Sequence, residues 1–230
     1  ESLGDKVQLE GQRFDWMGRV LDGADENHFV IHTPKFNLEY VYKPNGGLYT
    51  GYNVAYATIQ TELCVCIDSD DYMPDDAVEK IVDYWRQNGS LQYAGILGLD
   101  YNIATKELIG GKFPEGLKEV YFYDLTLKNL HAGDTKPVMR TDLMKQVAPQ
   151  VGFPEEKNFN PIYMMLQVCD KAPVLLMNEN LCNVEYQIGA DSMSQGIWRQ
   201  YMNSARSFAK LRLLEMSLQH NTLKNKIRVC

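Results

Sequence analysis

The chain has 230 residues, 45% of them hydrophobic and 23% charged, with a net charge of −7. That composition suits one large domain, or a domain with a small appendage, and argues against disorder. The acidic balance argues against nucleic acid as a partner, and no apolar stretch approaches the roughly 20 residues needed to span a bilayer.

No signal peptide opens the chain, and its five cysteines include no CxxC pair. Reduced thiols in a cytosolic protein are therefore expected. Cys64 and Cys66 alternate within an apolar run and read as small buried hydrophobes.

Phe14 to Leu21 reads as a strand ending at the turn signal Asp22-Gly23. Leu38 to Tyr42 alternates and is β-rich, then stops at Pro44-Asn45-Gly46-Gly47. Residues 52–62 suit a helix, with Val54, Ala55, Thr58 and Ile59 at helical spacing. Leu63 to Ile67 is a continuous apolar run, short enough for a buried parallel strand. A helix follows from Asp76, where Asp76 and Glu79 have capping-box spacing. Its predicted apolar face is Ala77, Val78, Ile81, Val82 and Trp85.

Tyr93 to Leu99 reads as another buried strand, and Val120 to Leu127 suits either strand or helix. Short helices are expected over Thr141–Val147 and Pro161–Val168, and a strand over Val174–Met177. Ser192 to His220 carries Ile197, Tyr201, Ala205, Phe208 and Leu211 along one stripe, the pattern of one long or two shorter amphipathic helices. Trp198 is assigned to core packing at this spacing. Alternating strands and helices in the first hundred residues predict an α/β layer fold with a mostly parallel sheet.

Five aspartates fall between positions 68 and 76, immediately after the apolar run that ends at Ile67. In open α/β sheets, ligands collect outside the carboxyl ends of the strands. Carboxylates so close raise one another's pKa unless a cation sits among them, and oxygen-rich sets favour magnesium or manganese. The competing reading is a solvated turn in which Asp75 or Asp76 caps the next helix.

The order of these features resembles the nucleotide-sugar-binding half of family 2 glycosyltransferases. That family has an Asn-x-Gly turn, a helix carrying an Asn, a Glu before a strand, and then Asp-x-Asp-Asp. The matching positions are Asn45 and Gly47, Asn53, Glu62, and then Asp68, Asp70 and Asp71, with Thr61 in place of a family Gly. Upstream, Asp22 and Gly23 match a Val-Asp-Asp-Gly-Ser segment that contacts the base, although Leu21 replaces its first Asp. Downstream, Gly133 to Lys136, Val138 to Thr141 and Phe153 to Lys157 resemble a bacterial subset, with Asn158 intruding before Phe159.

The resemblance implies a GT-A-like fold with helices on both faces of a mostly parallel sheet. It implies a nucleotide-sugar- and acceptor-binding domain over 1–190, its first βα unit missing or diverged, and a helical extension over 191–230 packed on it. The implied reaction is inverting transfer from a nucleoside diphosphate sugar, a UDP-sugar first among them, to an acceptor hydroxyl in polysaccharide or glycoconjugate synthesis. Asp70 with Asp68 would hold Mn2+ or Mg2+. Asp22, Asn45, Gly47, Asn53, Asp68, Asp71 and Arg140 would bind the donor, and Glu155 or Glu156 would be the base.

A saccharide or lipid-linked saccharide acceptor, a cytoplasmic location and peripheral contact with the inner membrane face complete the expectation. Asp134 and Lys136 are further candidates for acceptor or phosphate, Lys136 being read chiefly as surface charge. Two alternatives stand beside it: a degenerate glycosyltransferase-like binding module, and a sugar nucleotidyltransferase.

Overall fold

A computed structural model describes residues 28–185 and 197–229. The expected strand Phe14–Leu21 and Asp22 lie outside the described residues. The chain divides into two compact units, Glu1–Gly46 and Gly47–Cys230.

In the first unit, β1 (His28–His32) pairs antiparallel with β2 (Asn37–Val41). Thr33 closes the turn: its hydroxyl donates to the Phe36 carbonyl at 2.7 Å and accepts the Phe36 amide at 2.9 Å. Such side-chain bonds to nearby backbone are why Thr and Ser favour turns. The β-rich run predicted near Leu38 is thus the second arm of a hairpin, and it ends before the Pro44–Gly47 breakers as expected.

The second unit is built of α1 (Leu48–Thr58), β3 (Leu63–Val65), α2 (Ala77–Asn88), β4 (Gly95–Asn102), β5 (Glu107–Leu108), β6 (Glu119–Val120) and α3 (Phe122–Leu127). It continues through β7 (Thr135–Arg140), α4 (Thr141–Val147), α5 (Ile162–Cys169), β8 (Val174–Val184), α6 (Ile197–Asn203), α7 (Ala205–Ser217) and α8 (Leu223–Val229). The sheet order is β3-β7-β4-β8-β6, with β5 on β4.

β4 is central, and Gly95 to Asp100 along it are all buried. A strand covered on both sides needs apolar residues at successive positions, which is why Tyr93–Leu99 reads as a continuous run. Alternate residues then serve opposite faces. Ile96 packs with Val138, Leu175, Ala77 and Ile81 beneath α2, whereas Leu97 and Leu99 join Met139, Met144 and Met164 beneath α4 and α5. Helices cover both faces, as anticipated.

The strand directions differ from the expectation. β3 with β7, β4 with β7, β4 with β5 and β6 with β8 are antiparallel; β4 with β8 alone is parallel among the described pairings. The cause is β7, which enters between β3 and β4 and opposes both. Lys136 and Pro137 interrupt its apolar run, so it has no counterpart among the sequence expectations.

Further differences are local. α1 begins at Leu48, ahead of the predicted 52, and breaks at Ile59, whose backbone turns extended. Val78 is exposed rather than buried. Asp76 stands at the N-cap of α2 but makes no side-chain cap bond; it pairs with Lys80 at 3.0 Å instead.

At the C-terminal end, Leu211 and Leu218 of the α7 region pack with Phe159, Leu166 and Tyr49, seating the last helices on the second unit. Tyr201 and Phe208 meet edge-on at 4.4 Å, as their helical spacing implies. Trp198, in contrast, is exposed and not part of the core.

Candidate active site at the carboxyl end of β3

After Val65 the chain leaves the sheet as Cys66-Ile67-Asp68-Ser69-Asp70-Asp71 and turns tightly, the Asp71 amide donating to the Asp68 carbonyl at 3.0 Å. The turn is tied to β8. Tyr72 exchanges backbone hydrogen bonds with Asn183 at 3.1 and 2.8 Å, and Asp71 Oδ1 accepts the Glu185 amide at 3.3 Å. β8 reaches that point because its register against β4 shifts between Leu97 and Leu99 and again before Asp100. Such irregularities re-aim a strand end, here bringing Cys182 and Asn183 beneath the acidic turn.

Asp68 and Asp70 are exposed and Asp71 is half-buried. Burial, reinforced by the neighbouring carboxylates, pushes Asp71 above the ordinary carboxylate range against the Glu185 amide and Lys136. Asp71 is thereby an anchor of the turn.

Beside the turn lies a cavity of about 700 Å3, lined by α1, by residues 64–69, by Lys136, Pro137 and Met139 of β7, and by residues around Asn160–Met165. Asp68 and Lys136 put one negative and one positive group on its wall. Lys136 is buried, with Nζ 3.9 Å from Asp100 Oδ1, itself a buried atom with no hydrogen-bond donor. Burial pushes the Asp100 carboxyl up to about 6 in spite of Lys136, and Asp134, Asp71 and Asp68 add to the rise. For Lys136 burial works downward, but Asp100, Cys182 and Asp71 outweigh it and raise its pKa. The Cys182 side chain also hydrogen-bonds the ammonium. A lysine held charged in a cavity wall is suited to a phosphate.

Lys136 is therefore a buried residue of the cavity wall and not the surface charge read from the sequence. Nothing local in Thr135–Arg140 shows it; only the pairing of β7 with β3 brings it beside Ile67 and Asp68.

Arg140 departs from the donor-binding role implied for it. It pairs with Leu63, at the opposite end of β3, and lies four residues from Lys136, roughly 13 Å at about 3.3 Å per residue. Its guanidinium is spent on Asp142 at 2.6 and 3.1 Å and on the carbonyls of Leu91 and Tyr93 at 2.8 and 3.3 Å.

Asn53 is likewise engaged: its amide accepts from the Gln150 backbone at 2.7 Å and donates to it at 2.9 Å, clamping α1 to the loop before residue 153. Gly47 has φ +98°, and a Cβ there would meet the Lys157 carbonyl oxygen at 2.1 Å, so glycine is required by close backbone approach. Asn45 lies in the first unit, in the loop after β2.

Glu155 and Glu156 do not line the cavity. Glu156 is buried and accepts the Arg206 amide at 3.0 Å and the Ser207 amide at 2.7 Å, capping the first turn of α7. Burial favours a higher pKa, yet the hydrogen bonds from Ser207 and Arg206 prevail and hold it below the ordinary range. Glu155 pairs with the Arg206 guanidinium, which also covers the Phe153 ring. A carboxylate whose oxygens satisfy helix N–H groups is a structural cap, not a poised base.

Replacing Glu156 with alanine is accordingly expected to cost about 1–2 kcal/mol of stability near neutral pH. Because the folded pKa is depressed, this contribution is present above the unfolded value of about 4.3 and is lost as pH falls through the folded pKa. Urea unfolding of both proteins at pH 7 and pH 3 should show the difference narrowing in acid.

Cys64 is half-buried and packs against the core, whereas Cys66 is exposed and is not a core hydrophobe; both line the cavity. The reason is that β3 stops at Val65 and has only β7 as a described neighbour. His131 packs against Phe113 at 4.9 Å, a structural placement consistent with a lone loop histidine.

Among the described residues no three His, Cys, Asp or Glu side chains gather closely enough to form a metal cage. Asp68 and Asp70 are nevertheless hard oxygen donors facing solvent, which suits an ion that keeps most of its sphere for water and substrate phosphates. In that limited sense the residues fit Mg2+ or Mn2+.

The described residues thus form a mixed α/β fold of the GT-A type, with an acidic turn and a lysine at one cavity. Residues 22–119 match the family model for glycosyl transferase family 2, which bears out the resemblance read from the sequence. The match includes the acidic turn and stops before Lys136 and the α7 cap.

Among solved structures, the chain is similar to S. aureus TarS 1-349, with TM-score 0.55 and 13% identity over 83% of this chain and 51% of that one. It is also similar to S. aureus TarS 1-349 in complex with UDP-GlcNAc, with TM-score 0.52 and 13% identity over 83% and 52%. The chain spans about half the length of these structures. No curated protein matches it. Among the described residues, no helix is long and apolar enough to cross a membrane.

Proposed function

We propose that this protein binds a nucleoside diphosphate sugar, a UDP-sugar by analogy with the TarS complex, at the cavity beside β3. It then transfers the sugar to an acceptor hydroxyl. The observation that carries the reading is the meeting of the Asp68–Asp71 turn with the buried ammonium of Lys136 at one cavity, in a chain with a family 2 segment. Lys136 would hold the diphosphate, and Asp70 with Asp68 would hold Mn2+ or Mg2+. When bound, such an ion supplies Lewis-acid neutralisation of the diphosphate charge. Single displacement with inversion, in building a polysaccharide or glycoconjugate, is the reaction class this arrangement suits.

A second reading, a glycosyltransferase-like module that binds without turnover, is favoured by one observation. Among the described residues lining the cavity, Asp68 is the only carboxylate, so no second acid faces it to act as base.

The test is thermal stability with nucleoside diphosphates and manganese, for the full-length protein and Asp70→Ala. Ligand at 100 times its Kd contributes about 2.7 kcal/mol, or roughly 5–10 °C in Tm for a domain of this size. The variant should lose that gain. Absence of any shift in the unmodified protein would overturn the assignment. UDP release that requires an acceptor marks a transferase; binding without release marks the module.

A further inference from the structure

Asn-Gly occurs twice in the chain, at Asn45-Gly46 and at Asn88-Gly89. The dipeptide is chemically labile, because the backbone nitrogen after the asparagine can attack the side-chain amide carbon, and glycine has no Cβ to obstruct the approach. The attack needs a following amide that is not locked into a hydrogen bond, and an asparagine side chain that can turn toward it. The fold grants these freedoms at one site and withholds them at the other.

Asn88 is the last residue of α2, and Gly89 is its C-cap. The Gly89 amide donates to the Trp85 carbonyl at 2.7 Å, and Asn88 Nδ2 donates to the Tyr84 carbonyl at 3.0 Å. Both reacting groups are thus held against the helix. Gly89 is also pressed onto the Trp85 ring, which a Cβ there would meet at 2.4 Å. Asn45, in contrast, is exposed, and residues 42–47 belong to neither helix nor strand. Among the described residues no hydrogen bond holds the Gly46 amide.

We propose that Asn45 is a site of spontaneous deamidation and isoaspartate formation, and that the end of α2 protects Asn88 from the same reaction. The Gly46 nitrogen bonds to Asn45 Cγ, the Cγ–Nδ2 bond breaks, and Nδ2 leaves as ammonia with the Gly46 amide proton. Water then opens the succinimide ring. Opening at Cγ leaves aspartate; opening at the Asn45 main-chain carbonyl leaves isoaspartate, in which the chain runs through Cγ. Either product adds negative charge to an already acidic chain.

Isoaspartate also inserts a carbon into the backbone just ahead of Gly47, where a Cβ would lie 2.1 Å from the Lys157 carbonyl oxygen and the chain has little room to shift. The main-chain carboxylate that this product sets free is the group an isoaspartyl methyltransferase would esterify, with S-adenosylmethionine as methyl donor. This chemistry is independent of nucleotide binding at the cavity.

The test is to age the intact protein at mildly alkaline pH, with and without urea, and to follow it by peptide mapping with mass spectrometry and by isoaspartyl methyltransferase labelling. In buffer, Asn45 is expected to convert at least about tenfold faster than Asn88, whose two hydrogen bonds must open before it can react. In urea the two rates should converge. Gly46 lies outside the left-handed region, so alanine fits its backbone. Gly46→Ala should slow conversion at Asn45 and leave Asn88 unchanged.

Comparable rates at the two positions in buffer would overturn the proposal, as would faster conversion at Asn88 or an absence of isoaspartate at Asn45. A gap that persists in urea would overturn the protection by α2. An unaltered rate in Gly46→Ala would overturn the ring-closing route.

Discussion

Replacing Lys136 with alanine should weaken nucleoside diphosphate binding by about ten- to a hundredfold, because a hydrogen bond to a charged group is worth about 1.5–3 kcal/mol. The loss should appear in the dissociation constant measured by calorimetry, with or without manganese. Lys136 is buried and shares its charge with Asp100 across 3.9 Å, so its effect depends on pH.

Burial pushes the Asp100 carboxyl up to about 6, above the usual carboxylate range. As pH falls through that value Asp100 takes up a proton, and Lys136 loses one counter-charge, leaving more of its field for an anion. Affinity at pH 5.5 should therefore exceed affinity at pH 7.5, and Asp100→Asn should flatten the difference. The ligand's own titration is present in both proteins and cancels in the comparison.

The same shift has a stability sign. Between about pH 4 and pH 6 the folded state binds more protons at Asp100 than the unfolded chain does, so this group's contribution falls as pH rises through that window. An unchanged dissociation constant for Lys136→Ala would remove the phosphate from this wall.

Replacing Phe159 with alanine is expected to cost about 3–5 kcal/mol, the range for large aromatic truncations in a core. Phe159 is 1% exposed and sits between Tyr49 of α1, at 5.9 Å, and Tyr163 of α5, at 4.9 Å. Leu166, Leu211 and Leu218 complete its surroundings, so one ring joins α1, α5 and the α7 region. At roughly 2–4 °C per kcal/mol for a domain of this size, Tm should fall by about 6–20 °C. Scanning calorimetry would show it. A fall of only a degree or two would mean that the C-terminal helices are not seated on Phe159.

These two predictions separate binding from support. Lys136→Ala removes charge at the cavity and should leave most of the helical content intact. Phe159→Ala removes the post between the cavity helices and α7 and should lower stability first. Glu156 belongs with the second group, because it caps α7 and does not face the cavity.

Several local features of the site and fold were legible in residue order alone. The acidic turn after a short apolar run, the Gly47 breaker and the helix from Ala77 are local features, governed by turn geometry, hydrophobic period and chain direction. The buried run at β4 was also local, since six successive buried positions demand apolar residues whichever strands lie alongside.

What the linear chain left open was decided by long-range pairing. β7 enters antiparallel between β3 and β4, and this makes the sheet mostly antiparallel among the described strands. The same entry puts Lys136 at the cavity and sends Arg140 to the opposite end of β3. The register irregularity of β8 lets Asn183 grip the acidic turn, and the docking of α7 turns Glu156 from a presumed base into a helix cap. Composition and periodicity report which side chains a segment wants to bury. They carry no term for which distant strand lies beside it, and a shift of a few residues in that pairing decides which charge faces the cavity.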